Sequence, residues 1–272
     1  MRVAVIGVGL IGGSVALAAR ERLGAHVSGW DLNPAALSQA RSLGVIDTAT
    51  RSLDDAVDDA EAAFIAVPVD SLPELVAAVL ARVPDGCVVS DVGSTKRSIV
   101  EAISDPRFVG GHPLAGAETS GIEHARADLF DASTWYLTPG PMTAPETTTR
   151  VGELLGAFGA EVSELDAAVH DRLMAAVSHL PHIFANVLVA HLAAVDAPAV
   201  TGPSFRDATR VAGSNPAVWS AIYIDNRDEL IRAIDDAVAR LGDVRDKLER
   251  ADLDAVVSWC EESSAQRDRM AR

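Results

Sequence analysis

At 272 residues the chain is long enough for two domains of ordinary size. Its 49% hydrophobic and 23% charged residues describe a globular chain and exclude a disordered one. With 39 acidic against 23 basic residues the formal net charge is −16, which argues against nucleic acid and anionic membrane surfaces and demands a local cation wherever an anionic substrate binds.

The chain opens with Arg2-Val3-Ala4-Val5-Ile6, a β-branched run typical of a buried parallel strand. Gly7-Val8-Gly9-Leu10-Ile11-Gly12 follows and leads into an Ala-rich helix to about Arg22. A G-x-G-x-x-G turn between a strand and a helix is the context a dinucleotide-binding fingerprint needs. The glycines permit a tight turn and close approach of a pyrophosphate, which the positive end of the helix then faces. A second strand ends at Asp31, about 20 positions on, where a carboxylate binds ribose hydroxyls and repels a 2′-phosphate. NAD is therefore favoured over NADP as the cofactor. Asp31 also has a local explanation, as the turn residue before Asn33-Pro34.

Strands and helices keep alternating. A helix is predicted over 34–43, a buried strand over 62–67 that leads into Pro68, and a helix over 70–82. The strand 86–92 runs into Gly93-Ser94-Thr95-Lys96, with a helix from about Arg97 to Ile103. The strand 108–111 delivers His112, and strands at 133–139 and 160–165 flank a helix over 145–158. This pattern defines an α/β fold with a Rossmann-like doubly wound sheet over residues 1–165, its ligand crevice at the carboxyl ends of the strands. Gly9, Pro68, Ser94 and His112 all fall on that edge. His112 sits in Gly110-Gly111-His112-Pro113-Leu114-Ala115-Gly116, read as a rigid turn in which glycines allow close approach and positive φ. An imidazole displayed there suits a proton acceptor. Taken alone, the block is no more than a Gly/Pro turn containing a histidine. Lys96, just before a helix, is expected to assist phosphate or carboxylate binding.

From Asp166 the pattern becomes helical, and 166–272 reads as an all-helical substrate-binding and dimerisation domain. The apolar stretch to Val195 carries His170, His179, His182 and His191, each by default a core or capping residue. No Cys, Glu or third His completes a metal set, so no metal is expected. Pro181 should kink this stretch or mark a boundary. In the block from Gly202 to Ala212, Asp207 and Arg210 lie one turn apart. They form either an exposed pair of little energetic weight or a guanidinium fork for a substrate carboxylate with Asp207 orienting it. Amphipathic helices over 224–248 and 252–269 follow. So apolar a helical domain suits burial against a second copy, a homodimer.

Cys87 and Cys260, far apart in sequence, suggest a reducing compartment and no disulfide framework. The glycine pattern explains the apolar start better than a signal peptide does. Apolar runs of about 18 residues are all interrupted by a charge, proline or histidine, so no transmembrane helix is expected and the default location is the cytoplasm.

Taken together, the glycine turn, Asp91-Val-Gly-Ser94-Thr-Lys96, Gly110-Gly-His112-Pro-Leu-Ala-Gly116, Ser178-His179-Leu-Pro-His182 and Phe205-Arg-Asp207-Ala-Thr-Arg210 resemble the prephenate dehydrogenase family over nearly the whole chain. The resemblance implies oxidative decarboxylation of prephenate by NAD+ to 4-hydroxyphenylpyruvate, in tyrosine biosynthesis. It implies His112 as the base on the 4-hydroxyl and Ser94 beside the hydroxyl, the imidazole or the nicotinamide. Gly7, Gly9, Leu10, Ile11, Gly12, Asp31, Val67, Pro68 and Ser94 would hold the cofactor. Arg210 would bind a substrate carboxylate with Asp207 behind it. His191 matches a substrate-pocket histidine, His179 a supporting one, and Glu118 an acid that gates the pocket. Trp219 matches an aromatic reaching into the neighbouring subunit's site. Pro203 stands where a glycine-rich turn is expected, which puts a backbone contact there in doubt. Arogenate, with an ammonium in place of the side-chain ketone, is the alternative substrate. Other two-domain NAD-dependent dehydrogenases use a lysine on the long helix, and residues 166–195 contain none.

Overall fold

The first strand, β1 (Arg2–Ile6), lies inside an eight-stranded sheet, between β2 (His26–Trp30) and β4 (Ala62–Ile65). A short β3 (Thr48–Ala49) forms one edge beside β2. Beyond β4 the sheet continues through β5 (Val88–Asp91), β6 (Phe108–Pro113), β7 (Thr134–Thr138) and β8 (Glu161–Glu164). The chain thus runs outward from β1 to β3 and then returns to build the other side. Strand order reverses between β1 and β4, and a crevice opens beyond their carboxyl ends. The computed structural model describes residues 1–115, 121–195 and 201–270. Glu118 and Gly116 lie outside the described residues. The chain divides into two compact units, Met1–Arg227 and Asp228–Arg272.

Successive residues of β1 point to opposite faces, as a pleated strand requires. Val3 and Val5 join one core with Val15, Val27, Trp135 and Phe158. Ala4 and Ile6 join the other with Ile65, Leu72, Val76 and Ile99. Helices α1 (Leu10–Leu23), α2 (Pro34–Ser42), α3 (Leu53–Val57), α4 (Leu72–Leu80), α5 (Arg97–Ala102) and α6 (Pro145–Ala157) connect the strands. Asn33 caps α2 through the Ala35 amide, with Pro34 in the first turn. The sequence pattern had not indicated β3 and α3, which are too short to generate a periodicity.

One step of the sheet departs from the expected parallel alternation. β6 and β7 are antiparallel, with His112 opposite Tyr136. The described part of their connection holds a single 3-10 turn, Ile122–His124, and no crossover helix. A parallel return needs such a crossover. The glycines before His112 also belong to a strand rather than to a turn. Gly110 and Gly111 have ordinary φ, and β6 continues through Pro113. Pairing with β5 stops at Val109, so no ladder bond to that side needs the amide that Pro113 lacks.

After the sheet come α7 (Ala167–Met174), a π-turn over Ala175–His179 and α8 (Leu180–Ala193), which form one continuous helix. Pro181 does not end it. The wider π register just upstream relieves the clash a proline ring makes with the preceding turn. By length and composition alone residues 167–193 could cross a membrane. Their first part, however, packs on α5 and β7 and carries the buried His170 and Asp171. Further on, α9 (Pro203–Thr209), a 3-10 turn over Arg210–Gly213 and α10 (Pro216–Asp225) complete the first unit's helices. α11 (Arg227–Glu249) and α12 (Leu253–Met270) supply the second unit, with Val238, Leu241, Leu253 and Trp259 among its exposed apolar residues.

Candidate active site

A cavity of about 600 Å³ opens at the carboxyl edge of the sheet. Gly9, Leu10, Ile11 and Gly12 line it from the turn after β1, Val67 and Pro68 from the end of β4, and Ser94 from the end of β5. The turn is closed by steric necessity. Gly7 has φ +92°, and a Cβ on Gly12 would strike the Gly7 carbonyl oxygen. At Gly9 a Cβ would meet nothing within 4 Å, so the turn leaves open space where a ligand approaches. Among the described residues α1 has neither a side-chain cap nor an acid in its first turn, which leaves its positive end for an anion. Asp31 stands behind this turn. Its Oδ2 accepts the Val8 amide at 2.9 Å and its Oδ1 the Asn33 amide at 2.7 Å, tying the glycine loop to the end of β2. Gly7 and Asp31 support the turn from outside the cavity wall. An anion-accepting helix end, a tight glycine loop and a carboxylate at the next strand end fit a dinucleotide.

At the ends of β5 and β6 the site is built from buried side chains. His112 is only 9% exposed. Its Nδ1 lies 2.9 Å from Nε2 of His170, whose Nδ1 lies 2.8 Å from Oδ1 of Asp171. Asp171 Oδ1 also accepts the Lys96 amide at 2.8 Å, and Oδ2 the Arg97 amide at 2.9 Å, so it caps the start of α5. Tyr136 stands edge-on to the His170 ring. Asn226 donates to the Asp171 carbonyl at 2.7 Å and reaches His179 Nδ1 at 3.2 Å. Burial, with His170, Lys96 and His179 nearby, holds the His112 imidazole well below the usual histidine range. Burial also brings His179 down to about 4, against the pull of Asp171. For Asp171 burial acts upward, but bonds from His170, Arg97 and Lys96 keep its carboxyl below the usual range.

Lys96 does not take the role expected of it. It is wholly buried and ion-paired with Asp91, also wholly buried. An ammonium removed from water needs such a partner and cannot reach a ligand in the cavity. Asp91 Oδ2 accepts from Lys96 and from the Gly93 amide at 2.8 Å, while Oδ1 accepts the Gly111 amide at 3.1 Å. The pair thus ties the Ser94 loop to the strand that carries His112. Gly111 is required here, because a Cβ would lie 2.6 Å from the Asp91 carbonyl oxygen.

The helical residues divide. Arg210 and Trp219 line the cavity, at the start of the 3-10 turn and on α10. Trp219 stacks flat on His182 within its own chain, ring centroids 3.7 Å apart, with His179 edge-on behind it. Asp207 is exposed on α9, one turn before Arg210. His191 is exposed on α8, away from the cavity wall. The sequence pattern marks His170 only as a core or capping residue and does not point to Asp171 or Asn226. The available signal was a His-Asp pair in an apolar helix, since an acid buried there demands donors.

A dinucleotide crevice, with a buried imidazole on the same strand edge, defines an NAD(P)-type oxidoreductase. The family described as prephenate dehydrogenase, nucleotide-binding domain, matches residues 15–164, and the prephenate dehydrogenase dimerization domain matches 166–262. Prephenate dehydrogenase of Bacillus subtilis is 33% identical over 96% of this chain and 74% of that protein. Cyclohexadienyl dehydrogenase of Zymomonas mobilis is 31% identical over 97% of this chain and 94% of that one. The crystal structure of prephenate dehydrogenase from A. aeolicus, in complex with hydroxyphenyl propionate and NAD+, superimposes with a TM-score of 0.93 at 30% identity, covering 99% of this chain and 98% of that one. The chain belongs to the prephenate dehydrogenase family.

Proposed function

We propose that this protein oxidises prephenate with NAD+ and releases the ring carboxylate as carbon dioxide, giving 4-hydroxyphenylpyruvate for tyrosine biosynthesis. The observation that carries the reading is a buried imidazole, His112, held in its neutral form at the same strand edge as the glycine turn and Ser94. Gly9, Leu10, Ile11, Gly12, Val67 and Pro68 hold the dinucleotide, which when bound supplies the hydride acceptor, and Gly7 and Asp31 shape the turn behind them. Loss of hydride leaves positive charge on the carbinol carbon, and His112 relieves it by taking the hydroxyl proton. Once carbon dioxide has left and the ring electrons have returned to oxygen, His112 gives the proton back to form the phenol. Ser94 hydrogen-bonds at the hydroxyl. Arg210 receives a carboxylate of the dianionic substrate and supplies the local cation that a chain of charge −16 needs. Trp219, which lines the cavity, completes the substrate side with His179 edge-on to it, while Asp207 and His191 stand exposed outside the cavity wall and Glu118 lies outside the described residues.

Residues 1–165 act as the dinucleotide domain and 166–272 as the helical domain that also joins two copies. Val177, Phe184, Val187, Leu188 and Val189 leave α8 and the turn before it apolar and exposed in a single chain, as a homodimer contact would require. Cys87 and Cys260 are both thiols, which fits the cytoplasm. The test is NADH formation by the purified protein from prephenate and from arogenate, each with NAD+ and NADP+. Turnover of prephenate with NAD+ is expected. Turnover of arogenate alone would overturn the side-chain assignment, and turnover of neither would overturn the reaction.

A further inference from the structure

The proton positions behind His112 are fixed from the far end. Asp171 is an acceptor of two backbone amides and is held ionised by its surroundings. The facing nitrogen of His170, Nδ1 at 2.8 Å, must therefore be the protonated one. In a neutral His170 this leaves a lone pair on Nε2, 2.9 Å from His112 Nδ1. His112 Nδ1 must then carry a hydrogen and donate it. With His170 neutral, any other arrangement sets two lone pairs, or a lone pair and a carboxylate, against each other where His170 is 0% and Asp171 1% exposed. Nothing rotates easily to escape this. Tyr136 closes one side of the His170 ring, and Asn226 and the start of α5 hold Asp171.

We propose that His170 and Asp171 are positioning residues that lock His112 as the Nδ1–H tautomer, so that Nε2 is its one basic atom, and that they share the charge when Nε2 gains a proton. The proposal rests on His112 being the base and adds how that base is prepared. The hydroxyl proton enters at His112 Nε2. The hydrogen on Nδ1 can then shift along the existing bond to His170 Nε2, which places the positive charge one hydrogen bond from the Asp171 carboxylate. The shift reverses when the phenol oxygen recovers its proton, so no proton is gained or lost. The other groups facing His112 offer no such route. Lys96 is committed to Asp91, and His179, from the π-turn, is held neutral by burial.

The experiment compares the wild type with His170→Phe, which removes the acceptor, and His170→Gln, whose carbonyl oxygen can restore it. Histidine ring ¹⁵N spectra of the ligand-free proteins read the tautomer directly. Wild-type His112 should be protonated at Nδ1 and bare at Nε2. His170→Phe should move it toward the Nε2–H form that an unconstrained imidazole prefers. With prephenate and NAD+, kcat of His170→Phe should fall about 100-fold, with KM and NAD+ affinity within about threefold, and His170→Gln should recover much of the loss. The proposal is overturned if His170→Phe leaves the His112 tautomer unchanged or kcat within about threefold. It is also overturned if His170→Gln is no better than His170→Phe while KM and NAD+ affinity fail alongside kcat. A wild type inert toward prephenate would strike the substrate reading instead, and the spectra would still decide the tautomer.

Discussion

Around the turn from β1 to α1 the cleft is made of backbone and open space, whereas behind β6 it is made of side chains. The first region tolerates no added atoms at Gly7 or Gly12, which sit against carbonyl oxygens. The second tolerates no lost partners, since His112, His170, Asp171, Lys96 and Asp91 are all buried and satisfy one another. A cofactor shared by many reactions needs only shape and a helix end. A base that works near neutral pH needs its protonation set by a defined environment. The two regions should therefore break in different ways.

The largest effect belongs to the second region. His112→Asn should lower kcat by about 1,000-fold, within the range a general base contributes, while NAD+ binding measured by tryptophan fluorescence stays intact. Near wild-type turnover would remove His112 from the chemistry. Gly12→Ala attacks the first region by overpacking. It should weaken NAD+ binding roughly 10- to 100-fold, matching the 1–3 kcal/mol of a forced shift, and leave the His112 ring spectrum unchanged. Arg210→Gln tests the substrate side. The KM for prephenate should rise roughly tenfold or more, as expected for a lost charge-assisted hydrogen bond, with kcat nearly unchanged. An equal fall in kcat at constant KM would instead place Arg210 in the transition state alone.

The smallest effect is on stability. His179 has a folded value of about 4 against an ordinary 6.5. The unfolded chain therefore binds its proton first as pH falls. Stability is fully present above 6.5 and declines toward pH 4, by no more than about 1.4 kcal/mol per pH unit for one group. Urea midpoints across that window should fall with acidification and rise back on return, and a flat profile would mean that His179 is solvated.

How legible these regions were in the sequence follows from the same contrast. The glycine turn is contiguous, and its strand–helix context is local, so Gly7 to Gly12 and Asp31 could be read directly. The edge bearing Ser94 and His112 was also legible, because alternation fixes which strand ends share an edge. The chain behind His112 was not, since it joins β6 to α7 across 58 residues and helical periodicity marks His170 only as a core position. Lys96 misled for a related reason. A lysine before a helix reads as a ligand contact until its buried partner Asp91, five residues earlier, is seen folded back on it. The strand character of Gly110-Gly111 was hidden because glycine signals a turn, whereas here it serves close packing against the Asp91 carbonyl.

The central claim is that a neutral His112 imidazole takes the substrate proton, and the pH dependence of kcat/KM for prephenate tests it most directly. Because the folded environment disfavours the imidazolium, activity should rise with pH on an acid limb lying below 6.5, the ordinary histidine value. That limb should vanish from the residual activity of His112→Asn. An acid limb at or above 6.5, or one that survives the substitution unchanged, would contradict the account.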